Sequence, residues 1–233
     1  MRYASLLLLA GAAFADDQAD AAVVPVIRDY YATLSGPTPS IESVRDRLVP
    51  LMKQLGPKTG PSVRNVIRRG FDKKYKKELP YLRCLCEILA AGGDPGINLL
   101  YKQYEGSKKD DALRAAMAEV LGACGDEEAL DPLLKMAFDK TPEVAAAAVA
   151  ACGKYPKVKE DTRKAAVKKL IELYGKVTDD AAGKAPDSTQ MRMYEALRPA
   201  MNGTLTAFTG EALDSAAAFK AWFQENGTKP WSE

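Results

Sequence analysis

Leu89-Ala90-Ala91-Gly92-Gly93, Leu121-Gly122-Ala123-Cys124-Gly125 and Val149-Ala150-Ala151-Cys152-Gly153 are three versions of one phrase, spaced 32 and 28 residues apart. A period of that size is the signature of stacked supersecondary units. Around the central copy, Leu113, Ala116, Met117, Val120, Leu121 and Cys124 recur at helical spacing on one stripe. Leu130, Leu133, Leu134, Ala137 and Phe138 repeat the stripe in the next helix. Between them, Gly125 predicts the left-handed turn that ends a helix and Asp126 a cap for its successor. Gly93-Asp94-Pro95 punctuates the preceding unit in the same way. Thr141-Pro142-Glu143 opens the following one with a capping hydroxyl, a proline at the first helical position and an acid beside the helix dipole. The expected fold is all-α: an α-α superhelix, or alpha solenoid, of stacked antiparallel helix pairs.

The flanking chain extends the pattern. Val23, Ile27, Tyr30, Tyr31 and Leu34 form one stripe, and Val44, Leu48, Leu51, Met52 and Leu55 a second, which Pro50 is expected to kink. Val63, Val66, Ile67 and Phe71 form a third, Ile97, Leu100, Tyr101 and Tyr104 a fourth, and Val167, Leu170, Ile171 and Tyr174 a fifth. Helix 81–91 is apolar nearly all round and should lie inside the stack. Helix 143–152 is almost wholly alanine, which lets its neighbours come close. Residues 35–39, 56–61 and the polar stretch Val177 to Ser188 read as loops.

Met1-Arg2-Tyr3, an apolar run from Ala4 to Phe14 and the small residues of Ala13-Phe14-Ala15 before Asp16 match an export signal peptide. Residues 1–15 are therefore expected to be removed near Ala15, leaving a periplasmic or extracellular protein. An uncleaved membrane anchor is the competing reading, disfavoured by the shortness of the run. No later segment reaches the roughly 20 continuous apolar residues that a membrane helix needs, so no membrane contact is expected after cleavage. With 33 basic and 31 acidic residues the chain is close to neutral, which gives no argument for nucleic acid as a partner, and its basic segment lacks the interleaved stacking aromatics that such a partner would favour.

Histidine is absent. Serine, cysteine and zinc hydrolases usually rely on an imidazole titrating near neutrality, so those mechanisms lose their central residue. No cofactor motif stands out, and Gly92-Gly93 lacks the strand and lysine of a phosphate loop. Cys124 and Cys152 occupy the same slot of successive repeats, beyond disulfide reach, and Cys84 and Cys86 face different sides of one helix. Buried, unpaired thiols are expected, with a pair such as Cys86 to Cys124 as the minority case.

The segment Asp110 to Gly153, with Leu113-Arg114-Ala115-Ala116, the Leu121 to Asp126 turn, Leu133-Leu134 and the Thr141 to Val144 restart, resembles HEAT repeats of the type called HEAT-like PBS-lyase repeats. The resemblance extends less cleanly from about Val63 to Met201 and implies a HEAT-like repeat domain over 16–204. It implies a scaffold, while the bilin lyase activity in the repeat's name belongs to a subset and has no diagnostic motif here. Leu205-Thr206, Thr209-Gly210, Phe219, Trp222-Phe223 and Asn226 look like the closing segment of exported bacterial HEAT-repeat proteins. Residues 205–233 are thus expected to form a capping helix over the flank that a terminal repeat exposes, with an aromatic ligand platform as the alternative.

Two sets of residues are candidates for binding a partner. Arg69, Lys73, Lys76 and Lys77 stand at helical spacing, with Arg64 and Arg68 on the adjoining turn, opposite the Val63, Val66 and Ile67 stripe. That basic stripe would suit an anionic protein segment or an anionic envelope component; a solvated flank is the plainer reading. The second set lies on the second helices, expected to line the concave face: Asn98, Lys102, Asp131, Lys135, Lys168 and Glu172, mixed in sign and mostly long. The adjacent acids Asp110-Asp111, Glu127-Glu128 and Asp179-Asp180 read as helix-start or loop charges and not as a catalytic dyad. The function expected is an exported non-enzymatic scaffold for another protein. The rivals are a histidine-independent enzyme or enzyme accessory of glycan or envelope processing, and a structural envelope component.

Overall fold

The computed structural model describes residues 24–36, 39–55, 61–72 and 77–231. Residues 1–15, where a signal peptide is expected, and Lys73 and Lys76 lie outside them. Every regular element among the described residues is a helix, and none is long and apolar enough to cross a membrane. The chain forms two compact units, Met1–Gly106 and Ser107–Glu233.

The first unit contains α1 (Val24–Ser35), α2 (Ile41–Leu55), α3 (Pro61–Arg68), a 3-10 turn (Arg69–Phe71), α4 (Leu79–Ala90) and α5 (Asp94–Gly106). α4 packs against α2, α3 and α5. That explains its apolar circumference: Cys84, Leu85, Cys86, Ile88, Leu89 and Ala90 are all buried. α2 continues through Pro50 as one helix, with Val44, Leu48 and Met52 inside. α3 has only 8 residues, too few to stand alone, and is held by burying Val63, Val66 and Ile67. Each fully buried side chain of that type contributes about 1.5 to 3 kcal/mol, enough to outweigh the unfavourable start of so short a helix. Tyr30 crosses the same core and donates its hydroxyl to the Ile67 carbonyl at 3.0 Å.

In the second unit the stack advances regularly. It contains α6 (Asp111–Ala123), a 3-10 turn (Glu127–Ala129), α7 (Leu130–Met136), α8 (Pro142–Cys152), α9 (Glu160–Ala181), α10 (Thr189–Thr209) and α11 (Ala216–Asn226). One layer is α6, α8 and α10, each packed on the next. The other is α7, α9 and α11, with α7 also against α8 and α9 against α10. This translation from pair to pair is that of an α solenoid.

The recurring phrase marks where α4, α6 and α8 end, but its final glycine serves two purposes. Gly93 and Gly125 have φ of 68° and 78°, in the left-handed region that a side chain disfavours. Gly153 has an ordinary helical φ of −63°. Its lack of a side chain instead admits α10, since a Cβ there would stand 2.9 Å from Thr204 Oγ1. Thr204 is buried and donates that hydroxyl to the Val149 carbonyl at 2.7 Å, which satisfies it inside the contact. The carbonyl of Leu121, near the end of α6, is likewise covered: it accepts from the Tyr155 hydroxyl, beyond the end of α8, and locally from Cys124 Sγ at 3.1 Å.

Three local expectations are corrected. Thr141 precedes α8 but makes no side-chain cap. Its hydroxyl accepts from Arg114 Nη2 at 3.0 Å, because the buried Arg114 needs partners more than an exposed helix end does. Phe138 is 54% exposed: α7 ends at Met136, and the turn carries the ring out of the stripe. Val177 to Ala181 is the last turn of α9 and not loop, because Val177 and Ala181 continue the buried stripe behind the exposed acids Asp179 and Asp180. The four cysteines are free, as expected, and burial pushes the Cys152 thiol up to about 12 and raises Cys84 and Cys86 as well.

Candidate functional site

Among the described residues, the helix expected to carry the basic stripe is not continuous. α3 ends at Arg68, Arg69 to Phe71 turn as a 3-10 helix, and Asp72 is extended with ψ of 128°. The turn is forced at Gly70, where a Cβ would stand 2.4 Å from Tyr30 Oη and 2.5 Å from Leu85 Cδ1. Arg68 and Arg69 are exposed, whereas Arg64 is buried. Lys77 sits before α4, donates to the Thr33 carbonyl at 2.7 Å and lies 4.7 Å from the Tyr81 ring centre. The described members of the set therefore do not share one helix face.

The second set is also divided. Asn98 donates to Asp94 Oδ1 at 2.6 Å along α5, where Lys102 is exposed. On α7, Asp131 and Lys135 pair with each other at 2.6 Å in solvent. Lys168 and Glu172 line a concavity, a groove of ≈ 590 Å³ between α9 and α11. Its α9 wall continues through Lys176, Asp179 and Asp180, and its α11 wall carries Lys220 and Gln224. Ile171 and Phe223 supply apolar surface between the walls, beside Gly175.

Helical geometry builds this site. Lys168, Glu172, Lys176 and Asp180 follow each other at four-residue intervals, so they rise along one side of α9 with alternating sign. Lys176 and Asp180 approach to 3.8 Å, both largely exposed. Asp179 and Asp180 sit on the last turn of α9, where the helix dipole already presents partial negative charge, and that turn itself holds no basic residue; Lys176, one turn back, reaches Asp180 alone. That end of the groove is thus poised for a cation. Gly175 stands mid-helix with no atom within 4 Å of where its Cβ would be. Glycine there costs about 1 kcal/mol relative to alanine, and no packing inside the protein requires it.

The far side of the α11 wall is fixed by an aromatic cluster. Phe219 is fully buried, while Trp222 and Phe223 are half-buried and meet Trp231, with ring centres at 5.3 and 6.1 Å. Trp231 lies beyond the end of α11 and packs back towards the first turn of α9. Its backbone N–H donates to Glu160 Oε1 at 3.2 Å, and the same oxygen receives Lys164 Nζ at 2.6 Å. Lys164 first, and the Trp231 N–H second, hold the Glu160 carboxyl below the usual carboxylate range.

A pH dependence follows from that shift. Because the folded value is lowered, the contribution of Glu160 is complete at neutral pH and is lost as pH falls below the ordinary value of about 4.3 and through the lowered one. Tryptophan emission followed from pH 7 downward is expected to show an acid step that Glu160→Gln removes. Superimposable profiles would mean that the carboxylate does not hold Trp231.

Sequence reasoning located Lys168 and Glu172 but missed Gly175, Lys176, Asp179, Asp180, Lys220, Phe223 and Gln224. Two signals pointed there: the four-residue charge series running past Glu172, and a glycine inside an otherwise helical pattern. Residues 97–185, from α5 to just past α9, match a family model described as HEAT repeats. Solenoids of stacked helical repeats commonly act as interaction scaffolds through their extended concave surfaces. No curated protein and no solved structure matches the chain.

Proposed function

We propose that the protein is an exported, non-enzymatic scaffold that docks a segment of another protein in the groove between α9 and α11. The observation carrying this reading is Gly175: an open, stability-costing glycine on a groove that combines apolar surface with charges of both signs. A docked segment would set a small apolar residue over Gly175, against Ile171 and Phe223, and a basic residue towards Asp179 and Asp180. Export is supported by the pattern of residues 1–15, and the absence of histidine disfavours the commonest hydrolytic mechanisms. The enzyme reading would want two carboxyl groups facing each other about 5 to 10 Å apart. The three carboxylates of the groove, Glu172, Asp179 and Asp180, instead all lie on the α9 wall. We further propose that α11 covers the flank of the last repeat, since Phe219 is buried beneath it and α11 packs on α9.

The test is co-purification of the mature protein from its native envelope, followed by affinity measurement with whatever partner is recovered. Gly175→Leu fills the groove without meeting protein atoms at its Cβ, and is expected to weaken binding by about tenfold or more, as blocking a central contact does. Exchange of the exposed Asp131 and Lys135 for alanine should leave binding unchanged. If Gly175→Leu retains every partner at wild-type affinity, the groove is not the docking surface.

A further inference from the structure

Phe223 serves two neighbours at once: it bounds the groove between α9 and α11, and it meets the edge of Trp231 at 6.1 Å with the rings at 85°. We propose that the chain end Gly227 to Trp231 is a clasp that sets the α11 wall of the groove, with Trp231 as its positioning residue.

The geometry of the tail carries the argument. Its turn is made at Gly227, where a Cβ would stand 2.6 Å from the Phe223 carbonyl oxygen and 3.0 Å from Cε1 of the Phe223 ring. Any larger residue there displaces either the tail or the ring that bounds the groove. Trp231 is then tied to both walls. Towards α11, its indole Nε1 donates to the Asn226 carbonyl at 2.9 Å and its ring meets Trp222 at 5.3 Å. Towards α9, Arg163 and Lys164 each lie 5.5 Å from the indole, a cation–π distance. Glu160 receives the Trp231 N–H, and Lys164 Nζ donates to the Lys229 carbonyl at 2.6 Å. These ties bridge the first turn of α9 to the last turn of α11, so the spacing of the two helices is set at this end by the tail. Without it, α11 retains its packing through the buried Phe219 but loses the ties that orient the Phe223 face.

The consequence for binding rests on the docking role of the groove, but the device itself is measurable with no partner present. Spin labels on Lys176→Cys and Gln224→Cys, with Cys124 replaced by serine, report the width of the groove in the full chain. One narrow distance distribution is expected with Trp231 intact, and a broadened one shifted to longer distance in Trp231→Ala. Gly227→Ala should give the same shift with the indole still present, which separates displacement of the clasp from loss of the aromatic ring. The close Trp222 and Trp231 pair provides an internal control: its exciton band in circular dichroism should vanish in Trp231→Ala. An unchanged distance distribution in Trp231→Ala, with that band lost, would overturn the proposal. So would unchanged width in Gly227→Ala. If either variant melts α11 outright, as a loss of helix ellipticity, Trp231→Phe supplies the test: it keeps an aromatic ring but removes the bond to the Asn226 carbonyl, and an unshifted distribution there would count against the clasp.

Discussion

Gly122→Leu should cost the second unit about 3 kcal/mol or more, the upper range for overpacking a tight core contact. The Cβ of any residue at 122 would stand 2.7 Å from Ala151 Cβ and 2.9 Å from Ala151 Cα. Both atoms belong to the axis of α8 and not to a flexible chain end, so the two helices must separate. Separation reaches beyond the pair, because α8 is packed on both α6 and α10 and stability in a stack is shared between neighbouring interfaces. Gly122→Ala isolates the effect. Helix propensity favours alanine by about 1 kcal/mol, whereas overpacking costs about 1 to 3, so the variant should be net destabilised. Gly175→Ala, with nothing near its Cβ, should gain up to about 1 kcal/mol. Urea denaturation midpoints for the two alanine variants are therefore expected to move in opposite directions. A shift of both to higher urea would show that close approach of α6 and α8 does not govern the interface.

Loss of Asp139 should be comparably severe. Arg114 is buried, and its Nη2 meets Asp139 at 2.7 Å, Thr141 Oγ1 at 3.0 Å and Asp111 at 3.1 Å. Asp139 is itself nearly covered and receives the Thr141 backbone N–H at 2.8 Å. The cluster joins the start of α6 to the turn before α8, so it ties one repeat to the next. Removing one partner of a buried pair leaves an uncompensated charge, which costs about 3 to 5 kcal/mol, whereas removing both with apolar replacement is often neutral. Asp139→Ala should fall towards the lower end, about 3 kcal/mol, because Asp111 remains within reach of the guanidinium. Arg114→Met combined with Asp139→Ala should recover part of that loss. Additive destabilisation in this double-mutant cycle would mean that the two side chains do not depend on each other.

Repeat architecture was legible because it depends on short-range pattern. The stripes around Leu113 and Leu130, the glycine turn at Gly125 and the apolar circumference of α4 each follow from spacing along one or two helices, and all are present in the structure apart from Phe138. The basic stripe failed for a reason outside its own segment. Helical spacing from Arg64 to Lys77 assumes a continuous helix, but the contact of Gly70 with Tyr30 and Leu85, distant in sequence, turns the chain there. Thr141 failed similarly, since Arg114 claims a hydroxyl that local rules assign to a cap. The candidate groove was half legible: Lys168 and Glu172 lie on a helix whose face the pattern defines, while Lys220 and Phe223 belong to a helix whose partner it does not name.

Trp231 marks the same division. Nothing in Lys229-Pro230-Trp231 announces a contact with Glu160, which lies 71 positions earlier, yet that contact sets the start of α9 beside the chain end. By itself the sequence determined that the protein is built of helices, which faces are oily and that pairs of them repeat, because periodicity and turn chemistry act over a few residues. Only the tertiary structure decided which glycines face another backbone, which charges are spent on one another and where a groove stays open. Those outcomes depend on atoms brought together across the stack, where a shift of a few tenths of an ångström determines whether a side chain fits.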